Sequence, residues 1–143
     1  MKRCVIDAGI VVKLFFREDH SDACAKAVKN TRQLLAPDLI WVECASVTRK
    51  RARNGEIRTA DASAILLDML RLPIDAYASW SLVRHALQIA LETDCTVYDC
   101  LYVALAFQEE CPLMTADERL CNSLAKTPWG THVRFVGDEG KRI

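Results

Sequence analysis

The sequence has no excess of either charge, no long apolar run and no closely paired cysteines. Lysine plus arginine and aspartate plus glutamate each number 19 among 143 residues, so net charge provides no long-range attraction to nucleic acid or membrane. The longest stretch without a charged residue, 100–108, is far shorter than the roughly 20 residues that cross a bilayer. Contact with a polyanion must therefore come from a local patch, and no membrane association is expected.

The seven cysteines are an odd number, are scattered, and include no Cys-x-x-Cys pair. We interpret them as reduced, small, buried side chains, which favours a cytoplasmic protein. The three histidines keep no ligand-like spacing with the cysteines, so a zinc site is not expected. The N-terminus reaches an acid, Asp7, after three apolar residues, which is too few for a signal peptide.

Short apolar runs alternate with helical patterns along the chain. The apolar runs typical of strands lie at 4–6, 33–36, 74–78, 113–116 and 132–136. This alternation predicts a single α/β domain over 1–143, with a mostly parallel sheet of four to five strands flanked by helices on both faces. The polar tail 137–143 is expected to fray.

Two helical patterns predict which side chains face the core. After Asp7, apolar residues recur at helical intervals, while Lys13 falls on the opposite, polar side. A later helix beginning at Ser79 has a broad apolar face that we expect to be buried. That face comprises Trp80, Val83, Leu87, Ala90 and Leu91.

Two acids follow apolar runs that are predicted to be strands. Asp7 ends the first run, and Asp117 ends the run that begins at Leu113. Ligands of parallel α/β sheets collect outside the carboxyl ends of the strands, which makes both acids candidates for a site. The structural alternative is that each acid only caps the helix that follows it.

Two further acids lie on helix positions that face inward. Glu43 stands four residues after Leu39 and four before Val47, so it shares their apolar stripe. Asp99 is the single acid in the apolar segment 96–106, and Thr96 before it is a suitable helix cap. A buried carboxylate costs several kcal/mol unless it is compensated, and capping is the structural alternative for Asp99.

If the four acids converge, they form a cluster of hard oxygen ligands without histidine or cysteine. Repulsion between four negative charges in one partly buried cleft calls for a divalent cation, and the ligand type indicates Mg²⁺ or Mn²⁺. Such an ion suits phosphodiester hydrolysis by a metal-activated water. The residues of this hypothesis are Asp7, Glu43, Asp99 and Asp117.

Four segments resemble, in order and at ordinary spacing, the successive motifs of PIN-domain proteins, most of all the VapC toxins of bacterial toxin–antitoxin pairs. They lie at 5–15, 36–47, 96–106 and 113–120. Thr-Val-Tyr-Asp at 96–99 and Thr-Ala-Asp-Glu at 115–118 are the specific ones. The resemblance implies a PIN-like, Rossmann-like three-layer fold and a metal-dependent endoribonuclease. It also implies inhibition by a cognate antitoxin inserted into the active-site groove, and usually a homodimer.

Carried over by position, the resemblance assigns the acidic metal site to the same four acids. Thr115 would support that site by hydrogen bonding, and Thr96 would present Asp99 at the start of its helix. One departure concerns Gly9, where the family commonly has serine or threonine. Because a hydroxyl beside the ligands is missing, metal affinity or rate could be weaker.

Two alternatives to an active nuclease share features of this sequence. Gly9 keeps open a catalytically weak or inactive PIN-like module that binds RNA or a partner protein. A phosphoacceptor receiver domain shares the α/β layout, but it requires adjacent acids after the first strand, and here Asp7 stands alone.

A basic cluster ends the helix that contains Glu43. Its members are Arg49, Lys50, Arg51 and Arg53. This pattern is compatible with two roles. The cations either stay solvated and interact with the helix dipole, or they form a phosphate-binding patch. Under the nuclease hypothesis, Arg49, Lys50 and Arg53 are candidates for contacts to the RNA backbone.

Overall fold

A five-stranded parallel sheet forms the centre of the fold. The computed structural model describes residues 1–141. Its strands are β1 (Arg3–Ile6), β2 (Gln33–Pro37), β3 (Ile74–Tyr77), β4 (Leu113–Thr115) and β5 (Val133–Phe135). Their order is β3-β2-β1-β4-β5, and every neighbouring pair is parallel. The predicted sheet is thereby confirmed.

The central strands are apolar because both faces of the sheet are covered. Val5 of β1 lies in register with Leu35 of β2 on one side and with Leu113 of β4 on the other. All three side chains are fully buried. Burial of one such side chain stabilises the fold by about 1.5–3 kcal/mol. A slip of one residue would turn these side chains away from their packing partners, so the row fixes the register.

Helices supply the crossovers that parallel strands require. The α-helices of the described residues are α1 (Ala8–Phe15), α2 (Ser21–Lys29), α3 (Leu39–Arg53), α4 (Thr59–Leu70), α5 (Val83–Leu91), α6 (Val97–Gln108) and α7 (Glu118–Ala125). Short 3-10 helices span Ser79–Leu82, Pro128–His132 and Val136–Lys141. The three-layer α/β architecture is as predicted. None of the helices within 1–141 is long and apolar enough to cross a membrane. Residues 142 and 143 lie outside the described range, and fraying of the tail 137–143 stays a prediction.

The strand order reverses between β1 and β4. From β1 the chain proceeds outward to β2 and β3 on one side, and then to β4 and β5 on the other. Ligands of open α/β sheets bind outside the carboxyl ends of the strands at such a reversal. Asp7 follows β1 directly and Asp117 follows β4 by two residues. The topology therefore brings both acids to the edge where ligands bind.

The buried row of α3 differs from the predicted stripe. Ile40, Cys44 and Thr48 are buried, at intervals of four residues, whereas Leu39 is only half-buried. The hydroxyl of Thr48 donates to the Cys44 carbonyl at 2.8 Å, so a polar side chain is accommodated in this row. The helix is rotated so that Glu43 lies beside the buried row instead of within it.

The prediction of a broad buried face around α5 is wrong. The buried side chains there are Leu82, Ala86 and Ile89. Trp80 and Leu91 are 78% and 79% exposed. The segment carries two apolar faces, and the described chain covers only one of them.

Candidate active site

One cavity contains all four acids of the sequence hypothesis. Its volume is about 410 Å³, and we call it the acid cavity. The acids in its lining are Asp7, Glu43, Asp99 and Asp117. They come from four places in the chain: the end of β1, the helices α3 and α6, and the turn after β4. The structure brings them together, while their roles as ligands stay a prediction.

Both carboxylate oxygens of Asp7 are held in place. Oδ1 accepts a 3.0 Å hydrogen bond from the backbone N–H of Ile10 and caps α1. Oδ2 accepts a hydrogen bond from the hydroxyl of Thr115. The pKa of Asp7 is raised to about 6, mainly by burial and also by the charges of Glu43 and Asp117. The two hydrogen bonds act in the opposite direction and lower it. The capping alternative and a place in the acid cavity are therefore compatible for Asp7.

Thr115 connects Asp7 to Asp117. It is the last residue of β4 and is fully buried. While its hydroxyl donates to Asp7, its Oγ1 accepts a 3.0 Å hydrogen bond from the backbone N–H of Asp117. Oδ1 of Asp117 in turn accepts a 3.2 Å hydrogen bond from the N–H of Leu120 and caps α7. One buried hydroxyl thus sets the relative positions of two acids.

Glu43 reaches the acid cavity from α3 and is held by Tyr102 of α6. The Tyr102 hydroxyl donates to Oε1 of Glu43, and both side chains line the cavity. Burial raises the pKa of Glu43, the hydrogen bond from Tyr102 lowers it, and the charge of Asp99 raises it. Burial and the charge of Glu43 raise the pKa of Tyr102, so its hydroxyl remains a neutral donor. Sequence reasoning missed Tyr102, although its position three residues after Asp99 puts both on one side of α6.

Asp99 lies in the first turn of α6. The Thr96 hydroxyl accepts a 3.1 Å hydrogen bond from the backbone N–H of Asp99 and caps the helix, as the sequence predicted. Burial raises the pKa of Asp99, the Thr96 hydrogen bond lowers it, and the charge of Asp117 raises it. The positive charge of Arg119 acts in the opposite direction and lowers it.

Repulsion connects the carboxylates in a closed ring. Glu43 and Asp117 both act on Asp7. Asp99 acts on Glu43, and Asp117 acts on Asp99. The N-termini of α1, α6 and α7 lie beside acids of the ring and contribute partial positive charge. Because three of the pKa values stay raised, this charge compensates the acids only in part.

The donor set of the acid cavity fits a hard divalent cation. Within residues 1–141, no three histidine, cysteine, aspartate or glutamate side chains are placed closely enough to hold one metal ion together. Mg²⁺ is commonly held through one or two carboxylates and keeps several waters, so an ion in this cavity would take one or two of the carboxylates directly. The raised pKa values of Asp7, Glu43 and Asp99 mean that burial and mutual repulsion destabilise their anionic forms, and a bound cation would relieve that cost.

Lys13 also lines the acid cavity. Its side chain is only 16% exposed, and Nζ donates to Oε1 of Glu18 at 2.9 Å. Glu18 also pairs with Arg51 of α3, whose guanidinium lies 4.4 Å from the centroid of the Phe16 ring. Lys13 lies on the polar side of α1, as its position in the sequence predicts, and that side faces the cavity instead of open solvent.

Gly9 lies in the acid cavity beside Asp7. A Cβ at Gly9 would lie 3.3 Å from Oδ1 of Asp7, so any side chain there would contact the carboxylate. In the described part of the chain, Thr115 is the one side chain that donates to Asp7. The missing hydroxyl at position 9 leaves the position of Asp7 more dependent on Thr115.

The candidate cations at the end of α3 are exposed. Arg49, Lys50 and Arg53 all reach solvent, and none of them is in the lining of the acid cavity as the structure describes it. Their contact with RNA stays a prediction.

Comparisons with known proteins agree on a family. The PIN domain family matches residues 4–124. The ribonuclease VapC3 of Pyrobaculum aerophilum is 33% identical over 122 residues, which are 82% of this chain and 92% of that protein. The crystal structure of PAE2754 from Pyrobaculum aerophilum has a TM-score of 0.69 at 26% identity, covering 99% of this chain and 96% of the other. A toxin–antitoxin complex from Klebsiella pneumoniae has a chain similar in fold, with a TM-score of 0.63 at 14% identity and coverage of 93% and 97%.

Proposed function

The chain belongs to the PIN domain family, and we propose that it is a metal-dependent endoribonuclease, the toxin of a toxin–antitoxin pair. The acid cavity carries this proposal, because four carboxylates from four separate parts of the chain meet there. Collecting like charges in a partly buried site costs stability, so a catalytic or metal-binding role is the best explanation for the arrangement. The ribonuclease name of a relative that is 33% identical supports RNA as the substrate.

Asp7, Glu43, Asp99 and Asp117 would hold Mg²⁺ or Mn²⁺, with at most two of these carboxylates on one ion and water as its other ligands. When bound, such an ion neutralises charge on a phosphate and lowers the pKa of a water molecule. The chain's own contribution is to keep the carboxylates in place. Thr115 and Tyr102 each donate to one carboxylate, and Thr96 caps the helix that presents a third. The proposed reaction is hydrolysis of an RNA phosphodiester bond.

Removal of divalent metal is expected to abolish cleavage of single-stranded RNA. The purified protein should cleave in Mg²⁺, lose cleavage in excess EDTA, and regain it when Mg²⁺ or Mn²⁺ is restored, measured by gel electrophoresis of labelled RNA. An unchanged circular dichroism spectrum in EDTA is the control for folding. Cleavage that continues at the same rate in EDTA would contradict metal dependence.

A catalytically weak module that binds RNA or a partner protein is the second candidate, and Gly9 is the observation that favours it. Calorimetric titration with Mn²⁺ separates the two functions. A saturable site together with cleavage supports the nuclease. The absence of a site in the micromolar to millimolar range, together with intact RNA, supports the binding module.

Arg49, Lys50 and Arg53 remain proposed contacts to the RNA backbone, and their exposure at the end of α3 supports this role. Because the proposed substrate is RNA, we expect the protein to act in the cytoplasm. The proposed antitoxin would cover the rim of the acid cavity. Val42 and Tyr98, which are 66% and 63% exposed, directly precede Glu43 and Asp99 in the sequence and are apolar side chains that such a partner would cover.

We also propose a homodimer that forms through the uncovered face around α5. Its apolar side chains repeat at intervals of three or four residues, which aligns them in one stripe. The stripe consists of Trp80 (78% exposed), Val83 (43%), Leu87 (50%) and Leu91 (79%). Contiguous exposed apolar side chains of this kind mark protein interfaces. A second copy of the chain, presenting the same stripe, would bury both.

Leu87→Glu is expected to convert the dimer to a monomer, because a carboxylate in an apolar interface must be desolvated without a partner. Light scattering coupled to size exclusion at micromolar concentration measures the mass. Gln88→Glu is the matched control, since it adds the same charge to the same helix at an exposed position outside the stripe. If the Leu87→Glu variant remains a dimer, the interface lies elsewhere. If the wild type is a monomer, the homodimer proposal is wrong.

A further inference from the structure

A second cavity adjoins the acid cavity. Its volume is about 280 Å³, and Asp99 and Asp117 line both cavities. Thr96, Arg119 and Ser123 line only the second one, which we call the side cavity. The two shared carboxylates therefore lie between two adjacent depressions of the surface.

Each cavity contains one cationic side chain. Lys13 lines the acid cavity, and Arg119 lines the side cavity. Neither residue lines the other cavity. One cation thus lies on each side of the shared pair Asp99 and Asp117.

Neither cation is neutralised by the acids. In the part of the chain that the structure describes, neither Lys13 nor Arg119 forms an ion pair with any acid of the cavity. Arg119 is exposed, and its charge reaches Asp99 only at longer range. A cation paired directly with these acids would use its N–H groups to bind them. Lys13 and Arg119 instead have N–H groups that can bind another anion.

Glu18 holds Lys13 away from the acids. It accepts from Lys13 at 2.9 Å and also from Arg51, so it bridges the last turn of α1 to α3. Burial would raise the pKa of Glu18, but hydrogen bonds from Lys13 and Arg51 hold it below its ordinary value. Glu18 takes one N–H of the Lys13 ammonium, which has three.

We propose that single-stranded RNA passes across Asp99 and Asp117 from Lys13 to Arg119, that each cation contacts one backbone phosphate, and that the side cavity holds the nucleotide next to the cleaved bond. This path rests on the proposed ribonuclease function. A polyanion that approaches a ring of carboxylates is repelled unless cations nearby bind its phosphates. Lys13 and Arg119 are the cations that the described cavities offer, and Glu18 is a positioning residue for Lys13.

The salt dependence of RNA binding tests this path. A short fluorescein-labelled oligoribonucleotide of mixed sequence is titrated in Mg²⁺ into Asp7→Asn protein, which is expected not to cleave. Lys13→Met and Arg119→Met, added singly, should each weaken binding about tenfold. Each should also reduce the slope of log K against log salt by about 0.7, the value for one phosphate contact on a single strand. Lys13→Arg and Arg119→Lys should retain the slope.

Arg3→Met is the matched control. Arg3 is a half-buried cation that pairs with Glu109 at 3.3 Å, and it lies at the opposite end of β1 from Asp7. Its loss removes one charge and one ion pair without touching either cavity, so the slope should stay unchanged. If Lys13→Met and Arg119→Met behave like Arg3→Met while the RNA still binds, the path is wrong and the ribonuclease proposal stands. If the wild type neither binds nor cleaves RNA, both proposals fail.

Neutral methylphosphonate linkages placed one at a time along the same RNA test whether the two cations contact different phosphates. When the neutral linkage replaces the phosphate that Lys13 contacts, Lys13→Met should cause no further loss of affinity, because that contact is already missing. Arg119→Met should behave in the same way at a different linkage. The same linkage for both variants, or none, would overturn the path.

Discussion

Asp7→Asn is expected to abolish RNA cleavage while the protein stays folded. Asparagine caps helices as well as aspartate does, so the bond from the Ile10 N–H that starts α1 can be kept. The variant loses the negative charge of one of the four carboxylates of the acid cavity, and we expect activity to fall by about 10³-fold or more. The measurement is the initial rate of cleavage in saturating Mg²⁺.

Stability distinguishes this loss from unfolding. Burial and repulsion from Glu43 and Asp117 oppose the charge of Asp7, whereas the amide nitrogen of asparagine cannot accept the hydrogen bond from Thr115. These effects offset each other, so the unfolding free energy of the metal-free variant should stay within about 1 kcal/mol of the wild type. Asp38→Asn is the matched control, since Asp38 directly follows β2 as Asp7 follows β1, but it is exposed and accepts a 3.1 Å hydrogen bond from the Ser79 N–H. The control should cleave at the wild-type rate. Substantial activity in Asp7→Asn would remove that carboxylate from the mechanism.

The positions of the acids could be predicted because local patterns place them. Asp7 and Asp117 follow apolar runs, and parallel topology brings the ends of such runs to one edge of the sheet. Asp99 was recognisable as a lone acid in an apolar helix with a cap at Thr96. Glu43 was predicted on an approximate stripe, and it reaches the cavity because α3 is rotated so that it lies beside the buried row.

Lys13 and Arg119 were not predictable by the same reasoning. Hydrophobic periodicity separates side chains that face the core from those that do not, and it does not distinguish a cavity wall from open solvent. Lys13 belongs to the polar side of α1, as the pattern indicates, but Glu18 and Arg51 from other segments enclose it. These contacts join residues that are distant in sequence, so only the folded chain reveals them.

The face around α5 shows a second limit of periodicity. Trp80 and Leu91 recur at helical intervals as core residues do, yet Leu82, Ala86 and Ile89 are the ones that pack inside. A helix that is apolar on two sides has no internal signal for which side the fold will cover. Burial of the other side requires another molecule, which an intramolecular pattern does not specify.

Thr115→Val is expected to lower both stability and activity. Valine has nearly the same shape and suits a strand, so β4 should keep its backbone. The hydroxyl that donates to Asp7 and accepts from the Asp117 N–H at 3.0 Å is lost, and both groups lose a partner. Leaving buried polar groups unpaired costs about 1–3 kcal/mol. Loss of such a support for a metal ligand typically reduces affinity or activity by about 10- to 100-fold.

Thr115→Ser is the matched control, because it keeps the hydroxyl and removes only a methyl group. Calorimetric titration with Mn²⁺ and the ratio kcat/KM should both separate the two variants, with serine close to wild type and valine far below it. The effect should be large in this chain because Gly9 supplies no second hydroxyl, and Thr115 is the side-chain donor that the described structure gives to Asp7. Equal loss in both variants would show that packing of the methyl group, and not the hydrogen bond, is what the acid cavity requires at this position.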